Sequence, residues 1–206
     1  MHRLLRIVAA AAVGLLFVPT AMAAQGYRTV TGPHPATDPN KVEVTEFFWY
    51  GCPHCYHFEP YIKRWLAQKP DDVEFRYVPA ILGPSWELDA RAYYAARVMG
   101  VLDRFHDAMF HAIHEEGQRF TQPGDLGKFV STLGIDGDKF VATMKSFAVD
   151  TKIRRAKSLQ RAYGISGTPS VVIDGQYVTS GALAGNFDRM IDIINDRVAA
   201  ARGGSG

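Results

Sequence analysis

The chain has 206 residues, 47% of them hydrophobic, with 23 basic residues against 21 acidic ones. That is enough apolar material for a sizeable core and suits one domain, or one domain carrying an insertion. A net charge of +2 without a basic stripe excludes an electrostatic grip on nucleic acid or anionic lipid, leaving recognition mainly to apolar and backbone contacts.

The first 23 residues have the parts of a cleaved signal peptide. His2, Arg3 and Arg6 form the charged start, Ile7 to Val18 the apolar middle, and Ala21-Met22-Ala23 the small-residue cleavage site, with cutting expected after Ala23. The apolar run is about 12 residues, short of the roughly 20 that span a bilayer. No cysteine follows it to carry an acyl anchor. The mature chain is therefore expected to be soluble and exported into an oxidising space, and without Arg3 and Arg6 its charge is close to balanced.

Residues 24–40, with Gly26, Gly32, Pro33, Pro35 and Pro39, read as an extended leader. From Val42 to Phe48 the pattern is a strand, with Val42, Val44 and Phe48 on one face and Thr45, Phe47 and Trp49 on the other. Apolar residues on both faces predict a central strand. Pro53 suits a first helical turn, and Phe58, Tyr61, Ile62 and Trp65 continue it at helical spacing. Val73 to Val78 reads as a second strand, completing a β-α-β start.

The period then changes. Trp86 to about Phe147 reads as helices, with apolar stripes at Phe105, Ala108, Met109, Ala112 and Ile113, at Leu126, Phe129, Val130 and Leu133, and at Phe140, Val141, Met144 and Phe147. A longer helix is expected from Val149 to Tyr163. Strands return at Ser170 to Ile173 and Gln176 to Thr179, joined through the hairpin signal Asp174-Gly175, and Asn186 to Ala200 reads as the last helix. The plan is an α/β fold, residues 24–83 and 149–200, interrupted by a helical insertion at 84–148, with 201–206 as a flexible tail.

Cys52 and Cys55 are the only cysteines. A loop of about four residues makes them a weak staple, near 2 kcal/mol in the chain-entropy model. A structural zinc site usually needs four ligands; no second cysteine pair exists, and His54 with both cysteines in one turn closes a tetrahedron poorly. The placement favours a redox pair. Cys52 ends a strand and opens a helix, where free N–H groups and the helix dipole favour a thiolate. Cys55 lies one turn inside and suits a resolving role, and His54 places a polarisable ring beside the sulfur. A depressed thiolate pKa makes Cys52 a good leaving group and stabilises the reduced protein, so that its disulfide becomes a stronger oxidant. The reduced protein is accordingly expected to be the more stable form.

The stretches "EFFWYGCPHCYHFEP" and "GISGTPSVVIDGQYV", with the helical insertion between them, resemble the DsbA family of periplasmic thiol:disulfide interchange proteins, of thioredoxin-like fold. The resemblance covers essentially the whole mature chain. It implies a dithiol oxidase that passes a Cys52–Cys55 disulfide to newly exported, reduced and unfolded proteins in the periplasm. A quinone-linked membrane partner of the DsbB type would then reoxidise it, with no cofactor beyond the disulfide. Cys52 matches the family nucleophile, Cys55 the resolving cysteine and Pro169 the cis-proline, with Pro53 and His54 inside the motif. In such a fold the loop before the strand at 170 packs against the cysteines and offers backbone to an extended substrate, which makes Thr168 and Pro169 candidate substrate contacts. Thr168 departs from the Val-Pro of well-known members.

Glu46, six residues before Cys52 on an otherwise apolar strand, is a candidate proton relay to Cys55, and Glu59 a lesser one. His106, His111 and His114 read as a solvated helix face. Trp49, Tyr50, Phe58 and Pro60 are candidates for an exposed apolar groove, with core packing as the competing reading. A monomer is expected. The alternatives are a disulfide isomerase or reductase of the same fold, and a periplasmic copper metallochaperone using the two thiolates as soft ligands.

Overall fold

The computed structural model describes residues 25–31 and 41–203. The expected signal peptide and residues 204–206 lie outside them. Five strands form one mixed sheet in the order β1-β5-β4-β2-β3: β1 (Tyr27–Thr29), β2 (Val42–Phe48), β3 (Val73–Pro79), β4 (Ser170–Ile173) and β5 (Tyr177–Ser180). β2 runs parallel to β3, with Glu46 opposite Tyr77, and antiparallel to β4, with Glu46 opposite Val171. Pairing on both sides, with apolar residues on both faces, makes β2 the buried strand its sequence predicts. At Asp174 (φ 51°) and Gly175 (φ 64°) the backbone enters the left-handed region that a two-residue hairpin demands and that Asp-Gly tolerates.

Helices cover both faces. α1 (Pro53–Leu66) and α8 (Phe187–Gly203) bury Phe58, Ile62, Met190 and Ile194 against Val44, Val171 and Ile173. On the other face lie α2 (Trp86–Val98), α3 (Leu102–His114), α4 (Pro123–Thr132), α5 (Gly137–Met144) and α6 (Phe147–Ala162), with a core that includes Phe47, Phe48, Tyr93, Phe105 and Val149. A four-residue helix, α7 (Gly181–Ala184), joins β5 to α8.

Several details differ from the sequence reading. Phe147, expected on an apolar stripe with Met144, opens α6 and is 78% exposed. Part of the expected leader is β1, paired antiparallel with β5 from Tyr27↔Thr179 to Thr29↔Tyr177. The α6 helix starts two residues early because the Ser146 hydroxyl accepts from the Val149 N–H at 3.4 Å and caps it. The last helix runs through Gly203, so residues 201–203, expected in the tail, are helical.

Candidate active site

Strand β2 and the turn after it deliver Cys52 to the N-cap of α1, in extended conformation (φ −88°, ψ 114°). Its N–H donates to the Trp49 carbonyl at 3.0 Å, and its carbonyl accepts from Tyr56 N–H at 3.1 Å. Pro53 occupies the first helical position, where a missing N–H costs nothing. Both cysteines are free thiols. Cys52 retains 8% exposure and Cys55 none.

The two sulfurs are driven apart. The Cys52 thiol is lowered to about 5, first by the Cys55 S–H, which donates to it, against the opposing effect of burial. The Thr168 hydroxyl and the backbone N–H groups of Cys55 and His54 lower it further. Cys55 is pushed well up, first by burial, then by the hydrogen bond it donates to Cys52 and by the charges of Cys52 and Glu46. One sulfur is thus an anion at neutral pH and its neighbour a proton carrier. His54 is exposed and contributes its backbone N–H rather than its ring.

The Thr168–Pro169 bond is cis, and Ser170 Oγ donates to Gly167 O at 2.7 Å. This loop lies against the cysteines: Cys52 Sγ is 3.4 Å from the Thr168 carbonyl, to which its thiol donates when protonated. On the open side is a cavity of about 770 Å³ lined by His54, Tyr61, Thr168, Pro169, Gly181 and Phe187 among others.

Glu46 is completely buried, and neither carboxyl oxygen has a hydrogen-bond partner among the described residues. Burial first, then the charges of Glu59 and Cys52, push it well above the usual carboxylate range. Glu59, 5% exposed, sits one turn beyond Cys55 on α1. Its carboxylate meets Tyr77 O–H at 3.4 Å, Lys63 Nζ at 3.5 Å and His106 Nε2 at 3.3 Å.

Several expectations are corrected here. Tyr50 and Phe58 are core residues, not groove walls. Trp49 is half-buried, stacked on Trp86 (centroids 4.1 Å, planes 8° apart), and its Nε1–H donates to Asp89 at 2.7 Å; burial lifts that carboxyl to about 6. Pro60 is exposed within α1. His106, expected on a solvated face, is 7% exposed and bonds Tyr50 OH through Nδ1 at 2.8 Å. His114 Nε2 donates to Tyr50 O at 2.7 Å, and only His111 of the three is exposed. Tyr61, on α1, lines the groove as well, and Gly181 and Phe187 escaped the sequence reading because α7 and α8 reach the site only through the fold.

No group of three or more His, Cys, Asp or Glu that could hold a metal occurs among the described residues, and none of their helices is long and apolar enough to cross a membrane.

Residues 43–190 match the profile of the DSBA-like thioredoxin domain. The chain is 40% identical over 159 residues to the thiol:disulfide interchange protein DsbA of Azotobacter vinelandii, covering 77% of this chain and 74% of that one. With the DsbA of Bordetella pertussis it shares 37% over 202 residues, 96% of each. Among solved structures it resembles Pseudomonas aeruginosa DsbA, with a TM-score of 0.80 at 36% identity over 86% of this chain and 94% of that one. The oxidoreductase DsbA of Xylella fastidiosa gives 0.80 at 37%, over 86% and 96%.

Proposed function

The chain belongs to the DSBA-like thioredoxin family of thiol:disulfide oxidoreductases, and from that premise we propose that it is a periplasmic dithiol oxidase for newly exported, unfolded proteins. The observation that carries this reading is the asymmetry of the sulfurs: Cys52 lowered to about 5 and Cys55 raised. A sulfur held comfortably as an anion is a poor partner in a disulfide, so the oxidised pair passes its bond on.

A substrate thiolate attacks Cys52 Sγ, the Cys52–Cys55 bond breaks, and Cys55 leaves with the electron pair. Cys55 then takes a proton, which the protonated Glu46 is suited to supply before being reprotonated from solvent. A second substrate thiolate attacks the substrate sulfur of the mixed disulfide, closes the substrate disulfide and expels Cys52 as a thiolate. The substrate loses two electrons and the cysteine pair gains them. Of the two protons the substrate gives up, one stays on Cys55 and one goes to water. A quinone-linked membrane oxidase of the DsbB type would remove the electrons. The cavity beside Thr168 and Pro169 is the place for an extended, mostly apolar substrate segment, with His54 and Phe187 at its walls.

The test is the redox equilibrium with glutathione, combined with the rate of oxidative folding of a reduced protein. An oxidase gives a potential well above the roughly −270 mV of thioredoxin and speeds folding. A potential at or below that value removes the assignment. Stoichiometric copper retained against a competitor would favour the metal-carrier alternative. Glu46→Gln should slow exchange or displace its pH profile, and an unchanged profile from roughly pH 5 to 9 ends the relay.

A further inference from the structure

A buried polar chain leads from the helical layer to the back of the cysteine pair. His106, on α3, is enclosed by aromatic rings: Phe48 at 5.3 Å, Tyr77 at 4.6 Å, Tyr93 at 6.2 Å and Phe110 at 5.3 Å between centroids. Among the described residues its ring nitrogens meet Tyr50 OH at Nδ1 and Glu59 Oε1 at Nε2. The Tyr50 phenol is buried and pushed well up, first by desolvation, so it keeps its proton and is able to donate it to His106 Nδ1. With Nδ1 accepting, the ring proton sits on Nε2 and points at Glu59.

Glu59 then has three donors, from three elements: His106 on α3, Tyr77 on β3 and Lys63 on its own helix. Lys63 is shared with Asp107 at 2.5 Å. Glu46, on β2, has no donor among the described residues, and the charge of Glu59 raises it. Buried carboxyls that feel each other's charge disfavour ionising together, and hydrogen bonds favour the charged form of the one that receives them, which leaves the proton to Glu46. Glu46 is the carboxyl whose charge Cys55 feels.

We propose that His106 is a positioning residue of the thiol–disulfide reaction: by donating to Glu59 it keeps the proton of this carboxyl pair on Glu46, beside Cys55. This deepens the relay reading and rests on it for its use in catalysis, although the proton's location is a separate question with its own measurement. Tyr50 fixes the ring's tautomer, and the helical layer thereby reaches into the chemistry without touching either sulfur.

The test uses the reduced full-length protein with carboxyl-labelled glutamate and follows Glu46 and Glu59 separately by carbon NMR across pH. His106→Asn keeps a polar group at the Tyr50 end but falls short of Glu59, whereas His106→Gln places an amide N–H where Nε2 was. In the unaltered protein Glu46 should keep its proton well above the usual carboxylate range. In the Asn variant the proton affinity of Glu46 should fall at least about threefold, the proton no longer being held on it alone; the Gln variant should restore it. If Asn leaves Glu46 titrating as before, or if Gln behaves like Asn, the proposal fails. Nitrogen NMR of His106 in the unaltered protein supplies a check that needs no variant: Nε2 should carry the proton and Nδ1 should not, and the opposite tautomer overturns the proposal. A flat activity profile for Glu46→Gln would remove the relay alone, leaving these titrations to judge His106.

Discussion

Thr168 meets Cys52 twice, with opposite consequences. Its carbonyl accepts the S–H of a protonated Cys52 at 3.4 Å, whereas its hydroxyl favours the thiolate. Thr168→Val removes only the hydroxyl, and the Cys52 midpoint should rise from about 5 by up to about one unit, the size of one hydrogen bond to a charged sulfur. The disulfide should become a weaker oxidant by up to about 30 mV. Ultraviolet thiolate absorbance against pH measures the first and glutathione equilibration the second; an unmoved midpoint would mean that Cys55 and the helix N–H groups suffice. At this scale the sequence displays whatever is local: Cys52, Cys55 and Pro53 share one helical turn, and Glu46 stands out on an apolar strand. His106 was legible only in part. With Met109 and Phe110 it follows the i, i+3, i+4 spacing of a buried face, beside the stripe that starts at Phe105. Its polarity argued for water because the Tyr50 and Glu59 that satisfy it come from 56 and 47 residues away in the chain.

Elements were legible where their period was long and their ends chemically marked, as at Cys52-Pro53, where α1 begins. The boundary of α5 was not: the stripe from Phe140 runs on through Phe147, which belongs to α6, and the cap, Asp136 accepting from Lys139 N–H at 2.9 Å, passed unread. The three-residue β1 has no period to read, and it is a strand because β5 offers it an edge and Thr179 Oγ1 donates to Gly26 O at 2.7 Å. Contact between the helices of the insertion was not legible. α4 and α5 touch at Gly127 and Gly137, where a Cβ on Gly137 would lie 2.5 Å from Ser131 Oγ and press on the Gly127 carbonyl. Gly137→Ala should therefore cost about 1–3 kcal/mol, because one of the crowded atoms is backbone and cannot rotate away. Thermal melts should show the loss while the Cys52 titration stays in place, since α4 and α5 contribute no group to that sulfur. Full stability in the alanine variant would show that the two helices separate freely.

The whole molecule feels the active site through its stability. Cys52 has a folded value near 5 and an unfolded value near 8.5. A depressed acid stabilises the folded state above its unfolded value and loses that contribution as pH falls through the folded one. The reduced form should therefore gain on the oxidised form as pH rises from about 5 to about 8.5. At roughly pH 7 the gain is about 2 kcal/mol, allowing for the water that reaches this sulfur. Cys55, raised rather than lowered, keeps the advantage from growing beyond that window. Closing the disulfide's short loop contributes independently of pH, so denaturant melts of both forms at roughly pH 4 and pH 7 isolate the thiolate. An equal difference at both would reject the assignment. Strand order has a consequence of another kind. β2 carries Cys52 to its place, yet its antiparallel neighbour β4 and the Thr168 beside the sulfur lie more than a hundred residues later in the chain. A polypeptide made from its amino end thus exposes both thiols, with the neighbours in their own helical turn, long before Thr168 and the strand that follows it exist, and the site is complete only once most of the chain has been built.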